Sequence, residues 1–127
     1  MQPHQIFHNL EFQYPFPDYK IPEAVFFESA FNTSNFAPSD IISQFVSRDY
    51  SGAKNELFSE KLVWPMLESN KLIPSLSNSF LVLAGLNLSE EEDKTGNILA
   101  VKYTVNRKIE FNTSTIFVKD NDDKIVV

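Results

Sequence analysis

The sequence contains no cysteine. Disulfides, thiolate zinc sites and cysteine nucleophiles are therefore excluded outright. Glycine is almost as scarce: Gly52, Gly85 and Gly96 are the only three, each isolated, so there is neither a phosphate-cradling loop nor a dinucleotide fingerprint. The two histidines, His4 and His8, both lie near the N-terminus. With no Gly-x-Ser-x-Gly elbow among the many serines, a serine triad is not expected. Cations are in the minority, 11 Lys and Arg against 17 Asp and Glu, for a formal charge of −6. That balance disfavours non-specific binding to nucleic acid or anionic membranes, which are held through cationic patches. The strongest apolar run, Phe80 to Leu88, is far shorter than the ~20 residues that span a bilayer. The opening MQPHQIFHNLEF lacks the cationic start and apolar core of a signal peptide. Cytosol or nucleus is the expected compartment, and the Asn-x-Ser/Thr sequons at Asn32, Asn87 and Asn112 read as chance products of an Asn- and Ser-rich chain.

What is present is apolar bulk. A hydrophobic fraction of 43% with twelve Phe in 127 residues is enough to offset ordering entropy, so one folded domain over residues 1–127 is expected. Leu10, Phe12 and Tyr14 alternate with polar neighbours, the period of a strand with one buried face, and Pro15 and Pro17 are expected to stop it. Pro22 suits the first turn of a helix whose face would carry Ala24, Phe27 and Phe31. Ser39 and Asp40 can open a second helix with Ile41, Ile42, Phe45 and Val46 as its stripe. A third is expected after Ser51-Gly52, with Leu57, Phe58, Leu62 and Met66 on one face, ending or kinking near Val63 because Pro65 removes a helical hydrogen bond.

Beyond Pro74 the period changes. SFLVLAGLNL is apolar on both faces and reads as a central strand, while ILAVKYTV alternates, with Leu99, Val101, Tyr103 and Val105 on one side. In KIEFNTSTIFVKD the apolar phase slips near Thr113, as a bulge would make it, and KDNDDK reads as a hairpin turn into KIVV. The resulting expectation is an α+β fold: two to three N-terminal helices packed on a curved antiparallel sheet of about four to five strands, the last four in a meander.

Candidate chemistry is thin. His4 and His8 have the i, i+4 spacing of a metal pair, but Pro3 and the missing helical stripe favour a strand-leading terminus. The run Glu90-Glu91-Glu92-Asp93-Lys94 has the residue types of a nuclease site without a strand pattern to orient them, and reads as a solvated loop. A carboxylate in an apolar pocket could act as a general acid or base; Asp49, Glu28, Glu110 and Asp40 have apolar flanks, yet each is simplest as a surface residue. No catalytic residue, metal site or cofactor is expected. The aromatic stretch FQYPFPDY stands out instead. Phe12, Tyr14, Phe16 and Tyr19 either cover one end of the core, where Phe is usually found, or form an exposed anchor patch for a partner.

SGAKNELFSEKLVWPML resembles the helix of the nuclear transport factor 2 family, with Gly52, Ala53, Leu57, Leu62 and Pro65 in the corresponding places. GNILAVKYTVN and STIFVKDNDDKIVV are similar to the long strands and closing hairpin of such domains. The resemblance implies a cone of helices against a curved sheet around a cavity, over residues 24–127. It departs where VSRDYSG leaves no room for the family's short strands and where a strand precedes the first helix, and no catalytic residue carries over. Some members of the family are cavity enzymes and others bind partners. The sparse chemistry and surplus aromatics fit the latter: a non-enzymatic protein–protein interaction domain, as an adaptor or assembly subunit, with a protein partner in a homo- or heterodimer and no direct contact with nucleic acid or membrane. The apolar ending KIVV is that expected of a domain from a longer chain, or of a strand that pairs with another subunit. A small cavity enzyme or small-molecule binder using a buried carboxylate is the alternative, and an acidic inhibitor of a basic nuclease the next.

Overall fold

Alternation in the first strand is what the rest of the molecule is built on. The computed structural model describes residues 9–45, 57–85, 96–104 and 108–127. Strand β1 (Asn9–Phe16) runs through Pro15 instead of stopping there. Residues 9–13 pair with β3 (Leu81–Gly85) and residues 13–16 with β2 (Ala24–Phe27). At Pro15 the strand therefore has β2 on one side only, so the missing N–H interrupts no second ladder.

Residues 22–31 are not a helix. Ala24 and Phe26 are fully buried and their neighbours half-buried, the period of a strand, and the segment forms a hairpin with β1 that the Glu23 N–H to Phe16 carbonyl bond closes at 2.7 Å. The spacing of Ala24, Phe27 and Phe31 imitated a helical face, but only Glu28–Phe31 turns, as a short 3-10 segment. Phe31 then folds back on the sheet, edge-on to Tyr14, and Ser29 Oγ donates to the Ile98 carbonyl at 2.7 Å.

Among the described residues three helices follow: α1 (Pro38–Ile42), α2 (Glu60–Ser69) and α3 (Ile73–Leu76). Pro38 at the first turn of α1 needs no N–H, and Ile41, Ile42 and Phe45 are buried as the stripe requires. Ser39 is not the cap. It lies inside α1, and its N–H donates to Glu68 Oε2 of α2 at 3.1 Å, so a carboxylate from the neighbouring helix answers the positive end of α1.

Pro65 does not end α2. Val63, Trp64 and Leu67 are half-buried against the core, and this anchoring outweighs one lost hydrogen bond. The helix ends four residues later, at Ser69, by a backbone device. Lys71 takes a left-handed φ of 56°, with Leu72 N–H bonded to the Leu67 carbonyl (2.8 Å) and Lys71 N–H to the Glu68 carbonyl (2.9 Å), a Schellman closure in which glycine is the usual occupant.

Among the described residues the sheet has six antiparallel strands in the order β3-β1-β2-β4-β5-β6, with β4 at Ile98–Thr104, β5 at Thr113–Lys119 and β6 at Ile125–Val126. The last four strands are thus not one meander, because β3 crosses to the far edge beside β1. It was expected in the centre, and it is an edge strand. Ile109–Phe111 forms a 3-10 turn before β5, which accounts for the phase slip near Thr113. The bulge lies across the ladder in β4, where Ile98 faces Val118 but Ala100 faces Phe117. The extra residue, Leu99, lets both Leu99 and Ala100 be buried and turns Val101 and Tyr103 to the other side of the sheet.

The core lies on one face. Tyr14, Phe16, Ala24, Phe26 and Ala100 meet Ile41, Ile42 and Ile73 from the helices and Phe45 from the turn after α1. Phe26 sits at the centre, edge-on to Phe16 and tilted against Phe31. On the opposite face Leu81, Leu83, Tyr103 and Ile116 remain exposed. At the far edge the expected hairpin is present. Asp120 Oδ1 accepts the N–H groups of Asp122 (2.9 Å) and Lys124 (2.8 Å), a local turn that feeds β6.

Candidate binding surface

The aromatic residues singled out above separate. Phe12, Tyr14 and Phe16 lie on one face of β1, two residues apart, and point to the helices. Tyr14 and Phe16 are buried, and Phe12 is half-buried against the Phe80 ring at 6.3 Å. Tyr19, in the β1–β2 loop, is exposed and apart from them. These side chains form the floors of two hollows. Phe12 and Tyr14 line a shallow one with Pro74, Ser77 and Phe80. Phe16 lines a deeper cavity of about 300 Å³.

That cavity is walled by three segments folded against the end of β1. Ile42 and Phe45 come from α1 and the turn after it, Val63, Trp64 and Leu67 from α2, and Leu76 from α3. Trp64 stands edge-on to Phe16, ring centres 5.5 Å apart. Two polar residues join the lining, Glu60 in the first turn of α2 and Asn78 after α3. Asn78 is held in place, its Nδ2 donating to the Pro17 carbonyl at 3.2 Å. The volume is at the lower bound of small-molecule sites, which run from about 300 Å³ upward and combine apolar walls with a few placed polar groups.

Beside the cavity, α2 turns an apolar stripe outward. Leu62 is 74% exposed and Met66 66%, and just before the helix Leu57 and Phe58 are 94% and 63% exposed. Of the stripe the periodicity assigned to one helical face, Leu62 and Met66 turn away from the core, while Phe58 also lines the cavity. The inward side is made by Val63, Trp64 and Leu67. A helix with apolar residues on both sides is ordinarily buried on both, yet no residue of α2 is fully buried.

The candidate carboxylates are not in this surface. Glu28, Asp40 and Glu110 are exposed and line neither hollow. Asp49 lies outside the described residues, as do His4, His8, Gly52, Ala53 and the run from Glu90 to Lys94. No group of three potential metal ligands occurs among the described residues, nor any helix long and apolar enough to cross a membrane. Among the described residues one titratable group is shifted. Burial, and secondarily the Glu28 carboxylate, push the Tyr14 phenol above its ordinary value.

Glu60, Trp64 and Asn78 were not foreseen as site residues. Beyond Phe16, already marked by the aromatic stretch, the α2 segment carried a usable signal: apolar residues at 62, 63, 64, 66 and 67 fill more of the helix circumference than one core contact needs. The remaining lining comes from segments far apart in sequence. Comparison with known protein families, curated proteins and solved structures found no match to this chain.

Proposed function

We propose that the protein is a non-enzymatic protein–protein interaction domain of the cytosol or nucleus that receives its partner on the outward face of α2. The observation that carries this reading is the exposed pair Leu62 and Met66 beside an apolar cavity that the exposed Phe58 helps to line. Large exposed apolar patches next to pockets mark docking surfaces, and a buried anchor side chain dominates binding at such sites. The partner is a basic amphipathic segment: its apolar side covers Leu62 and Met66, an anchor residue enters beside Trp64, and its charge matches a chain of net −6.

The test is capture from a native lysate by the wild type and by the double variant L62S/M66S. Both side chains are largely exposed, so the variant should keep its unfolding free energy within ~0.5 kcal/mol of the wild type. A captured chain that disappears with the double variant supports the reading, and salt should slow its association. A captured chain retained equally by both proteins would sink it.

A second reading is favoured by Glu60 and Asn78, which bring polar groups to an otherwise apolar cavity. In it the cavity takes a small ligand with an apolar body and a hydrogen-bonding head. A fragment screen by thermal shift tests this, because a ligand at a hundredfold its dissociation constant adds about 2.7 kcal/mol to stability. Shifts that persist in V63F, which fills the cavity, would place the ligand elsewhere.

A further inference from the structure

Among the described residues, the β3 edge of the sheet is unusual for a natural protein. Edge strands are normally short, charged, bulged or interrupted by proline, because their unpaired backbone groups template further strands. β3, Leu-Val-Leu-Ala-Gly, has none of these devices, and its side chains Leu81, Val82 and Leu83 are 50%, 41% and 44% exposed. Among the described residues it pairs with β1 alone. The opposite edge, β6, is two residues long and flanked by Asp120, Asp122, Asp123 and Lys124.

We infer that β3 pairs antiparallel with β3 of a second copy of this chain, joining two sheets edge to edge about a two-fold axis at Leu83. The strand is suited to itself. Centred on Leu83, its pairing sets Leu83 against its own copy, Val82 against Ala84 and Leu81 against Gly85, with no bulky or charged mismatch. Both partners then keep their helices on the same side of the joined sheet, since the axis runs through the sheet plane.

Charge points to the same occupant. Residues 72–85 contain no ionisable side chain, so two copies of a chain with net −6 can meet there without opposing charges. Glu11 is the carboxylate in register with Leu83 on β1; three strand spacings would separate it from its copy, about 14 Å, beyond the Debye length of ~8 Å in physiological salt. Pairing β3 with β6 instead would be heterologous and would grow an open filament, and β6 presents only two residues. The apolar surface left by Phe80, Leu81, Val82 and Leu83 amounts to roughly half of the ~800 Å² per partner in a standard interface, so the dimer is weak and concentration-dependent.

The test is sedimentation equilibrium on the wild type, L83K, L83E and an equimolar mixture of the two variants. Leu83 is substituted at an exposed position, and circular dichroism verifies each fold. The wild type should move towards twice the monomer mass as concentration rises a hundredfold. Each single variant places like charges directly across the axis and should remain monomeric, while the mixture should recover the dimer as a heterodimer. A wild type that stays monomeric overturns the inference, as does a dimer that survives in both variants. So does loss of the dimer in L62S/M66S but not in L83K, which would move the contact to α2. Open-ended growth in mass would also overturn it, by showing a heterologous contact.

Discussion

The two edges of the sheet solve one problem in opposite ways. At β6 the chain shortens the strand and surrounds it with charge: Lys119 pairs with Asp123 at 2.8 Å, Lys124 approaches Asp122 at 3.8 Å, and Asp120 ties the turn. At β3, among the described residues, a five-residue apolar strand ends the sheet with no such protection. Between them β1, β2 and β4 carry the buried side chains. The contrast shows where this molecule closes itself off and where it stays able to accept another strand. It also separates two kinds of apolar residue, those that hold the fold and those that the fold displays.

Both edges depend on the strands between them, and the largest loss should follow a change there. Phe26 has no solvent exposure and touches Phe16 and Phe31, so Phe26→Ala should cost about 3–5 kcal/mol in urea unfolding. An equal loss from Leu83→Lys would mean that β3 is part of the core after all. Next in size is Asp120→Ala, which removes the acceptor of two backbone N–H groups and should cost about 1–2 kcal/mol by the same measurement. Amide exchange should quicken in β6 and not in β3.

A smaller effect belongs to the β3 half of the sheet. The Tyr14 phenol titrates above its ordinary value in the folded state because burial disfavours its charged form. The folded state thus holds the proton more tightly than the unfolded chain. This contribution is complete below the ordinary phenol range, near pH ~10, and is lost as pH rises through the higher folded value. Unfolding midpoints should fall in strong alkali for the wild type and fall less for Tyr14→Phe. The smallest change expected is Asp123→Asn, which removes an exposed ion pair and should alter stability by at most ~0.5 kcal/mol.

Periodicity served well wherever one face of an element met the core and the other met water. Leu10, Phe12 and Tyr14 in β1, Ile41, Ile42 and Phe45 around α1, and the turn before β6 were legible for that reason. Where local pattern and long-range pairing competed, pairing won. Ala24, Phe27 and Phe31 have helical spacing, but the ladder to β1 and β4 draws 24–27 into a strand. The single inserted residue at Leu99 exchanged the faces of β4, which alternation cannot anticipate. β3 has the composition of a central strand, and nothing local distinguishes a strand buried by its own chain from one left open. The cavity was less legible still. Of its walls only α2 was marked by an excess of apolar residues, while Phe16, Ile42, Leu76 and Asn78 are brought together by the fold.

Trp64 is the only tryptophan in the chain, and it stands in the wall of the cavity with its ring edge-on to Phe16. The protein therefore carries its own optical reporter at the place where α2 meets the sheet. Its emission is sensitive to local polarity, so filling the cavity should shift it to shorter wavelength, and lifting α2 from β1 should shift it to longer wavelength. Strand pairing at β3, on the other side of β1, should leave it unmoved. One intrinsic signal thus distinguishes the events at the helical face from those at the open edge.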